Sequence, residues 1–279
     1  MFRRVEKVAV ALFSLLLSIA GIALFWQLNT VRQGILLATT TSLYDSGLLS
    51  SILPDFEQQY RAEVHVLALG TGQALEYGKR GDADVLLVHA PELEREFMES
   101  GCGAERRELF YNYFVLVGPK TNPAGISNEN NITQAFWKIY NSGSNFVSRG
   151  DGSGTHFREL EIWRQLGISL SDLKARPWYL NGSGSMSTAL LVANEKEAYA
   201  LSDIATWAFL HQKLGNLRRF EIQKSEELLN VYSLILTKAG MERNSLLLQK
   251  FKAWFESAET LSKIENYTVN SEQLFKVRW

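Results

Sequence analysis

Cysteine and histidine are scarce in this chain. Its 279 residues include one cysteine, Cys102, and four histidines, His65, His89, His156 and His211. A lone cysteine cannot form an internal disulfide, and the histidines show no spacing typical of metal ligands. The chain also lacks a G-x-S-x-G nucleophile motif. These absences argue against a metal site and against catalysis, so we do not expect an enzyme.

No charge of one sign dominates the sequence. The formal net charge is −1, from 29 lysines and arginines against 30 acidic residues. The first 34 residues carry +3, because they hold Arg3, Arg4, Lys7 and Arg32 against Glu6, and the remainder carries −4. A mildly acidic body lacks the basic surface that nucleic acids need. We therefore expect no nucleic-acid partner.

A long apolar run lies near the N-terminus. After the first basic residues, 19 uncharged and mostly apolar residues extend from Val8 to Trp26. This exceeds the ~7–15 residues of a signal-peptide core and approaches the ~20 that span a bilayer. We predict that residues 1–33 form a signal segment or, preferably, an uncleaved membrane anchor, with the remaining chain outside. Cleavage near Gly21–Ala23 and a buried core helix are the alternatives, and the absence of a following cysteine excludes lipid attachment.

From residue 34 onward, short apolar runs alternate with helical spacing. Segments 34–39, 63–69 and 84–90 are typical of strands, whereas 42–60 and 70–81 are typical of helices. This alternation predicts an α/β fold with parallel strand pairing. With 46% hydrophobic residues, the chain can form one large domain or two ordinary ones.

Two later segments, 111–119 and 230–238, resemble each other. Each contains an asparagine, an aromatic residue and an apolar run. They suit a two-lobed protein whose chain crosses between the lobes twice, although two ordinary buried strands are the alternative. The predicted lobes are lobe I, residues 35–113 and 232–279, and lobe II, residues 114–231. An amphipathic helix predicted over Asn244–Ile264 would close lobe I.

Hydroxyl-rich turns follow the first two predicted strands. The run ATTTS at 38–42 brings four hydroxyls to the start of a helix predicted near Leu43. One hydroxyl suffices to cap a helix, so the surplus favours an anion held by hydroxyls and free backbone N–H groups. The run GTGQAL at 70–75 repeats this placement, although glycine turns are common. The candidate donors from these turns are the four hydroxyls of residues 39–42 and the hydroxyl of Thr71.

The run SRGDGSGTH at 148–156 is the most specific motif. Ser153, Gly154 and Thr155 lie at the mouth of a helix predicted from His156 to Leu166, and Arg149 adds a charge. A planar guanidinium offers two parallel N–H bonds to a tetrahedral anion. No Gly-Lys-Ser/Thr follows, which excludes a nucleotide-binding phosphate loop. The alternative is a structural loop in which Asp151 pairs with Arg149 and caps the helix.

A further glycine and serine run, NGSGSM at 181–186, precedes a helix predicted near Met186. Its possible donors are Ser183, Ser185 and Ser187. A flexible turn with an N-cap is an equally good interpretation.

These motifs resemble those of the tungstate-binding and molybdate-related substrate-binding proteins of ABC importers. The resemblance covers roughly residues 35–238 in family order: ATTTS with DSGLL, GTGQAL, GDADVLLVHAPE, YNYFVLVGP, the SRGD and SGTH frame, WYLNGSGSM and EKEAYALSD. It implies a two-lobed periplasmic-binding-protein type II fold that closes on an oxyanion. The cleft residues that it implies are Thr40, Thr41, Ser42, Thr71, Arg149, Ser153, Gly154 and Thr155.

The same resemblance implies a function. The ligand would be tungstate or molybdate, without a cofactor, and the partners an ABC permease and its ATPase. The protein would act in the periplasm or at the outer face of the cytoplasmic membrane, secreted or anchored. The chain departs from the family where Gly152 replaces the aspartate of RGDDSGTH, and where NGSGSM and SDIATW replace GQGM and TDRGTW. A phosphate-binding protein of the same fold and a membrane-tethered oxyanion sensor are the alternatives.

The candidate anions differ in their protonation state at neutral pH. Tungstate and molybdate are fully deprotonated at neutral pH, so a site made of donors suits them, whereas protonated phosphate also benefits from an acceptor. Asp151 is the nearby acceptor, and its freedom from Arg149 therefore decides between them. One arginine and helix N-termini of roughly +0.5 charge each can balance a dianion.

Overall fold

The structure, a computed structural model, describes residues 33–182, 184–223 and 225–277. The signal or anchor segment predicted over residues 1–33 lies outside the described residues, apart from its last position. Within the described ranges, no helix combines the length and the apolarity needed to cross a membrane.

The elements alternate along the chain much as predicted. The strands are β1 Gln33–Thr40, β2 Ala62–Leu69, β3 Val85–Val88, β4 Gly103–Pro119, β5 Phe146–Ser148, β6 Tyr179–Asn181, β7 Ala200–Asp203, β8 Leu217–Arg219, β9 Leu229–Thr237, β10 Thr268–Val269, β11 Glu272–Gln273 and β12 Lys276–Val277. The α-helices are α1 Thr41–Asp45, α2 Leu48–Tyr60, α3 Thr71–Lys79, α4 Pro91–Glu99, α5 Ile132–Ser142, α6 Gly154–Gln165, α7 Leu170–Lys174, α8 Met186–Glu195, α9 Ile204–Leu210, α10 Lys238–Phe255 and α11 Ala258–Glu265. Short 3₁₀ helices span His211–Lys213 and Glu226–Leu228.

The predicted α/β pattern is confirmed in the first part of the chain. β1 pairs in parallel with both β2 and β3, and helices carry the chain back between them. The helix predicted over 42–60 is instead two helices, α1 and α2. They are separated at Gly47, whose φ of 79° is left-handed and ends the helical path.

The helix predicted over Asn244–Ile264 is also two helices. α10 ends at Phe255, and α11 begins after Ser257, whose hydroxyl accepts a hydrogen bond from the Thr260 N–H group at 3.2 Å. This N-cap satisfies a free amide of the new helix and so stabilises a fresh start within an otherwise continuous apolar stripe.

Strand β4 connects two sheets. Its first part, Gly103–Tyr113, pairs antiparallel with β9, and its second part pairs antiparallel with β7 and β8. The first sheet therefore has the order β2-β1-β3-β9-β4-β12. Of the two similar segments, 111–119 lies in β4 and 230–238 lies in β9 except for its last residue, and Asn112 is opposite Asn230.

Each sheet has its own apolar core, which gives the molecule two lobes. Phe56, Phe110 and Phe251 are fully buried in the first core, and Phe136 and Trp163 in the second. Burying each such side chain stabilises the fold by about 1.5–3 kcal/mol. Ala205 and Ala208 of α9 pack into the first core. The lobe boundaries, 35–113 with 232–279 and 114–231, stay a prediction.

Candidate anion-binding site

The turns after β1, β2 and β5 meet between the lobes. The Nη2 atom of Arg149, after β5, donates a hydrogen bond to Thr41 Oγ1, after β1, at 3.1 Å. Gly72, after β2, approaches the same loop, because a Cβ atom built on it would lie 3.8 Å from the Gly152 carbonyl oxygen. Turns from lobe I and lobe II therefore contact each other at the predicted site.

The ATTTS hydroxyls have different partners. Thr39 Oγ1 donates to the Leu87 carbonyl at 2.7 Å, within the sheet. Thr40 is the N-cap of α1, since its hydroxyl accepts from the Leu43 N–H group at 3.3 Å, and it also lies 3.3 Å from Ser42 Oγ. Thr41 accepts from Arg149, so its own hydroxyl hydrogen can still be donated to a ligand.

Arg149 is the central charge of the site. Its side chain is only 2% exposed, and its Nε atom donates to Asp151 Oδ2 at 2.8 Å. With Nη2 on Thr41, two of its three nitrogens are bonded. The third, Nη1, is buried and has no hydrogen-bond partner among the described residues. A buried guanidinium N–H group without an acceptor destabilises the protein, so a ligand oxygen bound at this position would be stabilising.

Two threonine hydroxyls resemble the Arg149 Nη1 atom in being buried without a described partner. Thr71 and Thr155 are 0% and 1% exposed, and neither Oγ1 atom has a hydrogen-bond partner within the described part of the chain. Each lies in the first turn of a helix, α3 or α6, where backbone N–H groups lack intrahelical acceptors and the helix dipole is positive. Both positions suit the oxygens of an anion.

The loop between Arg149 and α6 is internally bonded. Asp151 Oδ1 accepts from the Ser153 N–H group at 3.0 Å, while its Oδ2 atom holds Arg149. Ser153 caps α6 by accepting from the His156 N–H group at 3.4 Å, so the helix begins at Gly154 rather than at His156 as predicted. The pairing of Asp151 with Arg149 considered from the sequence is therefore present, but Ser153 rather than Asp151 is the cap.

At Gly154 the start of α6 lies directly against His89 of lobe I. A Cβ atom at this position would lie 2.7 Å from His89 Nδ1 and 2.8 Å from the His89 carbonyl oxygen. Such distances do not occur for real Cβ atoms, so only glycine fits here. Beside this contact lies a cavity of about 310 Å³, lined in part by His89, Phe114, Phe157 and Asn230.

His89 belongs to a buried polar chain that sequence reasoning missed. Its Nδ1 atom lies 2.7 Å from Asn230 Oδ1, and Asn230 Nδ2 donates to Asn112 Oδ1 at 2.7 Å. Burial lowers the pKa of His89 to about 4, with a further contribution from the Arg149 charge, so the ring is neutral. The VHAPE motif was the signal available for this residue, but nothing local assigned a role to it.

Two neighbouring carboxyl groups, one of them close enough to interact with Arg149, were also not predicted from the sequence. Burial and the neighbouring Asp203 raise the pKa of Asp45, and Arg149 opposes this shift. Asp203 is fully buried and caps α9, accepting from the N–H and hydroxyl groups of Thr206 at 2.8 and 2.7 Å. An aspartate directly before a helix is a recognisable cap signal in the sequence.

In the NGSGSM run, Ser185 is an N-cap, which is the simpler of the two interpretations of this run. This residue caps α8 by accepting from the Thr188 N–H group at 3.1 Å. Ser183 lies outside the described residues. The structure thus brings the predicted set into three adjoining turns, namely Thr40, Thr41, Ser42, Thr71, Arg149, Ser153, Gly154 and Thr155, and their role as ligands stays a prediction.

Comparison with known proteins supports the resemblance stated from the sequence. The family model of the PBP superfamily domain matches residues 29–259. The tungstate-binding protein TupA of Peptoclostridium acidaminophilum is 38% identical over 240 residues, which cover 85% of this chain and 82% of that protein.

Solved structures agree with this match. The structure of the tungstate-binding protein TupA from Desulfovibrio alaskensis G20 has a TM-score of 0.75 at 34% identity, covering 88% of this chain and 99% of that chain. A structure described as the tungstate ABC transporter from Geobacter sulfurreducens has a TM-score of 0.74 at 35% identity, covering 84% of this chain and 98% of that chain. The chain therefore belongs to the PBP superfamily and, within it, to the family of the TupA tungstate-binding proteins.

Proposed function

We propose that this protein captures tungstate, or the closely similar molybdate, outside the cytoplasm and delivers it to an ABC permease driven by its ATPase. The observation that carries the proposal is the buried Arg149, which reaches across to Thr41 of the other lobe while its Nη1 atom has no protein partner among the described residues. The names of the relatives support the same ligand.

The donors match the charge and shape of a tetrahedral dianion. Arg149 supplies one positive charge, and the N-termini of α3 and α6 supply roughly +0.5 each. The hydroxyls of Thr71 and Thr155 and the free hydrogen of Thr41 add directional bonds. Because each lobe holds only part of this set, the anion binds the closed arrangement more tightly than an open one and shifts the lobes towards it.

The acceptors near the site favour a fully deprotonated anion. Both oxygens of Asp151 are engaged, one by Arg149 and one by the Ser153 N–H group. Both oxygens of Asp203 are engaged by Thr206. A protonated phosphate benefits from a carboxylate acceptor, and the Asp151 carboxylate beside Arg149 already accepts a protein hydrogen bond at each oxygen, so this bonding supports tungstate or molybdate over phosphate.

The remaining parts of the proposal follow from a carrier role. The protein binds and releases its anion without catalysis and without a cofactor. It acts in the periplasm or at the outer face of the cytoplasmic membrane, and the apolar N-terminal segment tethers it there if that segment is not cleaved.

Calorimetric titration of the purified chain with tungstate, molybdate, sulfate and phosphate tests the function. We expect tight binding of tungstate and molybdate and much weaker binding of the other two. Arg149→Ala should weaken tungstate binding by about 100-fold or more, because it removes several charge-assisted hydrogen bonds of about 1.5–3 kcal/mol each.

Arg176→Ala is the matched control, since Arg176 is exposed and its side chain donates a hydrogen bond to Tyr140 in the same lobe. It should bind like the wild type. A preference for phosphate would move the function to a phosphate carrier of the same fold, and no heat with any of the four anions would refute the proposal.

A further inference from the structure

A buried carboxyl group lies directly behind the anion site. Glu159, in the second turn of α6, is 1% exposed. The Tyr179 hydroxyl donates to its Oε1 atom at 2.7 Å, and the Trp163 indole N–H group donates to the same atom at 3.2 Å. The backbone N–H group of Arg149 also stabilises its ionised form.

These contacts join the two halves of the SRGDGSGTH run. Arg149 directly follows β5, and Tyr179 lies on β6, which pairs with β5 opposite Phe146. Glu159 lies on α6, whose first turn presents Gly154 and Thr155. The carboxyl group therefore bonds the helix that carries Thr155 to the strand pair that carries Arg149.

Burying a carboxyl group is expensive, so its retention needs a compensating benefit. Removal from water raises the pKa of Glu159 to about 7. An apolar side chain of similar size would pack here without that cost. The loop that Glu159 holds has left-handed glycines at Gly150 and Gly152, which would otherwise give it many conformations.

We propose that Glu159 is a positioning residue for oxyanion capture. Through Tyr179, whose strand β6 pairs with β5, it fixes the Arg149 loop relative to the N-terminus of α6. The guanidinium and the Thr155 hydroxyl are thereby held at a separation that one tetrahedral anion can bridge. This inference rests on the proposed function and adds the element that sets the geometry of the site.

Tungstate titration of single variants provides the first part of the test. Above pH 7, where the Glu159 carboxyl group is ionised, Glu159→Gln keeps the size of the side chain but replaces one carboxylate oxygen with a donor, and it should weaken tungstate binding about tenfold. Tyr179→Phe removes the partner hydroxyl and should act in the same direction. Glu161→Gln, on the same helix, breaks only a partly exposed pair with Arg158 and should leave the affinity unchanged.

A double-mutant cycle separates positioning from general stability. In an Arg149→Lys background the forked guanidinium is replaced by a flexible point charge, so the loop orientation matters less. There, Glu159→Gln should change the affinity by less than about twofold. An effect of the same size in both backgrounds would show that Glu159 does not act through Arg149.

The possible failures are distinguishable. Normal binding by the wild type with unchanged affinity in Glu159→Gln and Tyr179→Phe would overturn this inference alone, as would a lowered Tm with wild-type affinity. If Glu159→Gln does not fold, Tyr179→Phe and its cycle with Arg149→Lys decide the matter. Absence of anion binding by the wild type would overturn the proposed function and this inference with it.

Discussion

The buried threonines in the hydroxyl-rich turns differ in what their hydroxyls contact. Thr39 donates to a backbone carbonyl inside the sheet, and Thr40 caps α1. Thr71 and Thr155 are as deeply buried, yet their hydroxyls have no hydrogen-bond partner in the described ranges. An unpaired buried hydroxyl destabilises the empty protein, so its presence indicates a ligand that completes it.

Valine substitution at Thr71 or Thr155 tests this interpretation. Valine keeps the shape but removes the hydroxyl, so tungstate affinity should fall about tenfold per site, as for a hydrogen bond to a charged group. The free energy of unfolding without ligand should stay the same or rise, because no protein hydrogen bond is lost. Titration calorimetry and urea unfolding provide the two measurements.

Thr39→Val is the matched control with the opposite expectation. It loses the bond to the Leu87 carbonyl and should lower the free energy of unfolding by about 1 kcal/mol. Its tungstate affinity should not change. The ligand role of Thr71 and Thr155 fails if their valine variants behave like this control.

At the scale of elements, the first turn of α6 brings the lobes together. Gly154 packs against both the ring and the backbone of His89, which follows β3 in lobe I. The first position of a helix does not require glycine and is often proline, so the requirement for glycine comes from the neighbouring lobe and not from the helix itself.

Gly154→Ala should therefore impair closure. Alanine is a better helix former, but its methyl group would overlap the His89 carbonyl, at a cost of about 1–3 kcal/mol in the closed state. Tungstate affinity should fall by about tenfold or more, as this cost is paid on closure. Gly215→Ala is the control and should bind normally, because apart from its two chain neighbours no described residue has an atom within 4 Å of the added carbon. Equal affinities in the two variants would contradict the role of this contact.

The strands and helices in the first part of the chain could be predicted from the sequence, but their exact ends could not, and elements such as α4, α5 and β5 to β8 were not predicted. The strand periods of β1, β2 and β3 are local, and the structure reproduces them within two residues. The breaks at Gly47 and Ser257 were missed, because an apolar stripe continues across both. In each case a left-handed glycine or a cap outweighs the continued hydrophobic period.

At the scale of the whole molecule, two buried titratable groups give stability opposite pH dependences. Burial raises the pKa of Glu159 to about 7 and lowers that of His89 to about 4. Glu159 keeps its proton in the folded state, so its contribution is fully present below its unfolded pKa of 4.5 and is lost as the pH rises towards 7. His89 contributes fully above 6.5, and this contribution is lost as the pH falls towards 4.

Urea unfolding across this pH range measures both effects. Between pH 4.5 and 7, the wild type should lose about 3 kcal/mol relative to Glu159→Gln, since each unit of pKa shift corresponds to about 1.4 kcal/mol. As the pH falls from 6.5 to 4, the free energy of unfolding of the wild type should decrease by a similar amount relative to that of His89→Gln. Parallel profiles for wild type and variants would show that neither group is held as described.

The sequence by itself determined the local features of this protein. Strand periods and runs of hydroxyls and glycines depend on neighbouring residues. The resemblance of these runs to a known family was enough to propose a set of candidate site residues without coordinates: Thr40, Thr41, Ser42, Thr71, Arg149, Ser153, Gly154 and Thr155. Their order along the chain also sufficed to indicate the family.

Only the tertiary structure decided how these donors are arranged. Thr41 and Arg149 are 108 positions apart, and their 3.1 Å contact exists because two separately packed lobes face each other along β4 and β9. The engagement of Asp151, the fit of Gly154 against His89 and the carboxyl group of Glu159 behind the loop depend on the same long-range packing. Local propensity contains no information about such contacts, because their energies arise only when distant segments exclude water together.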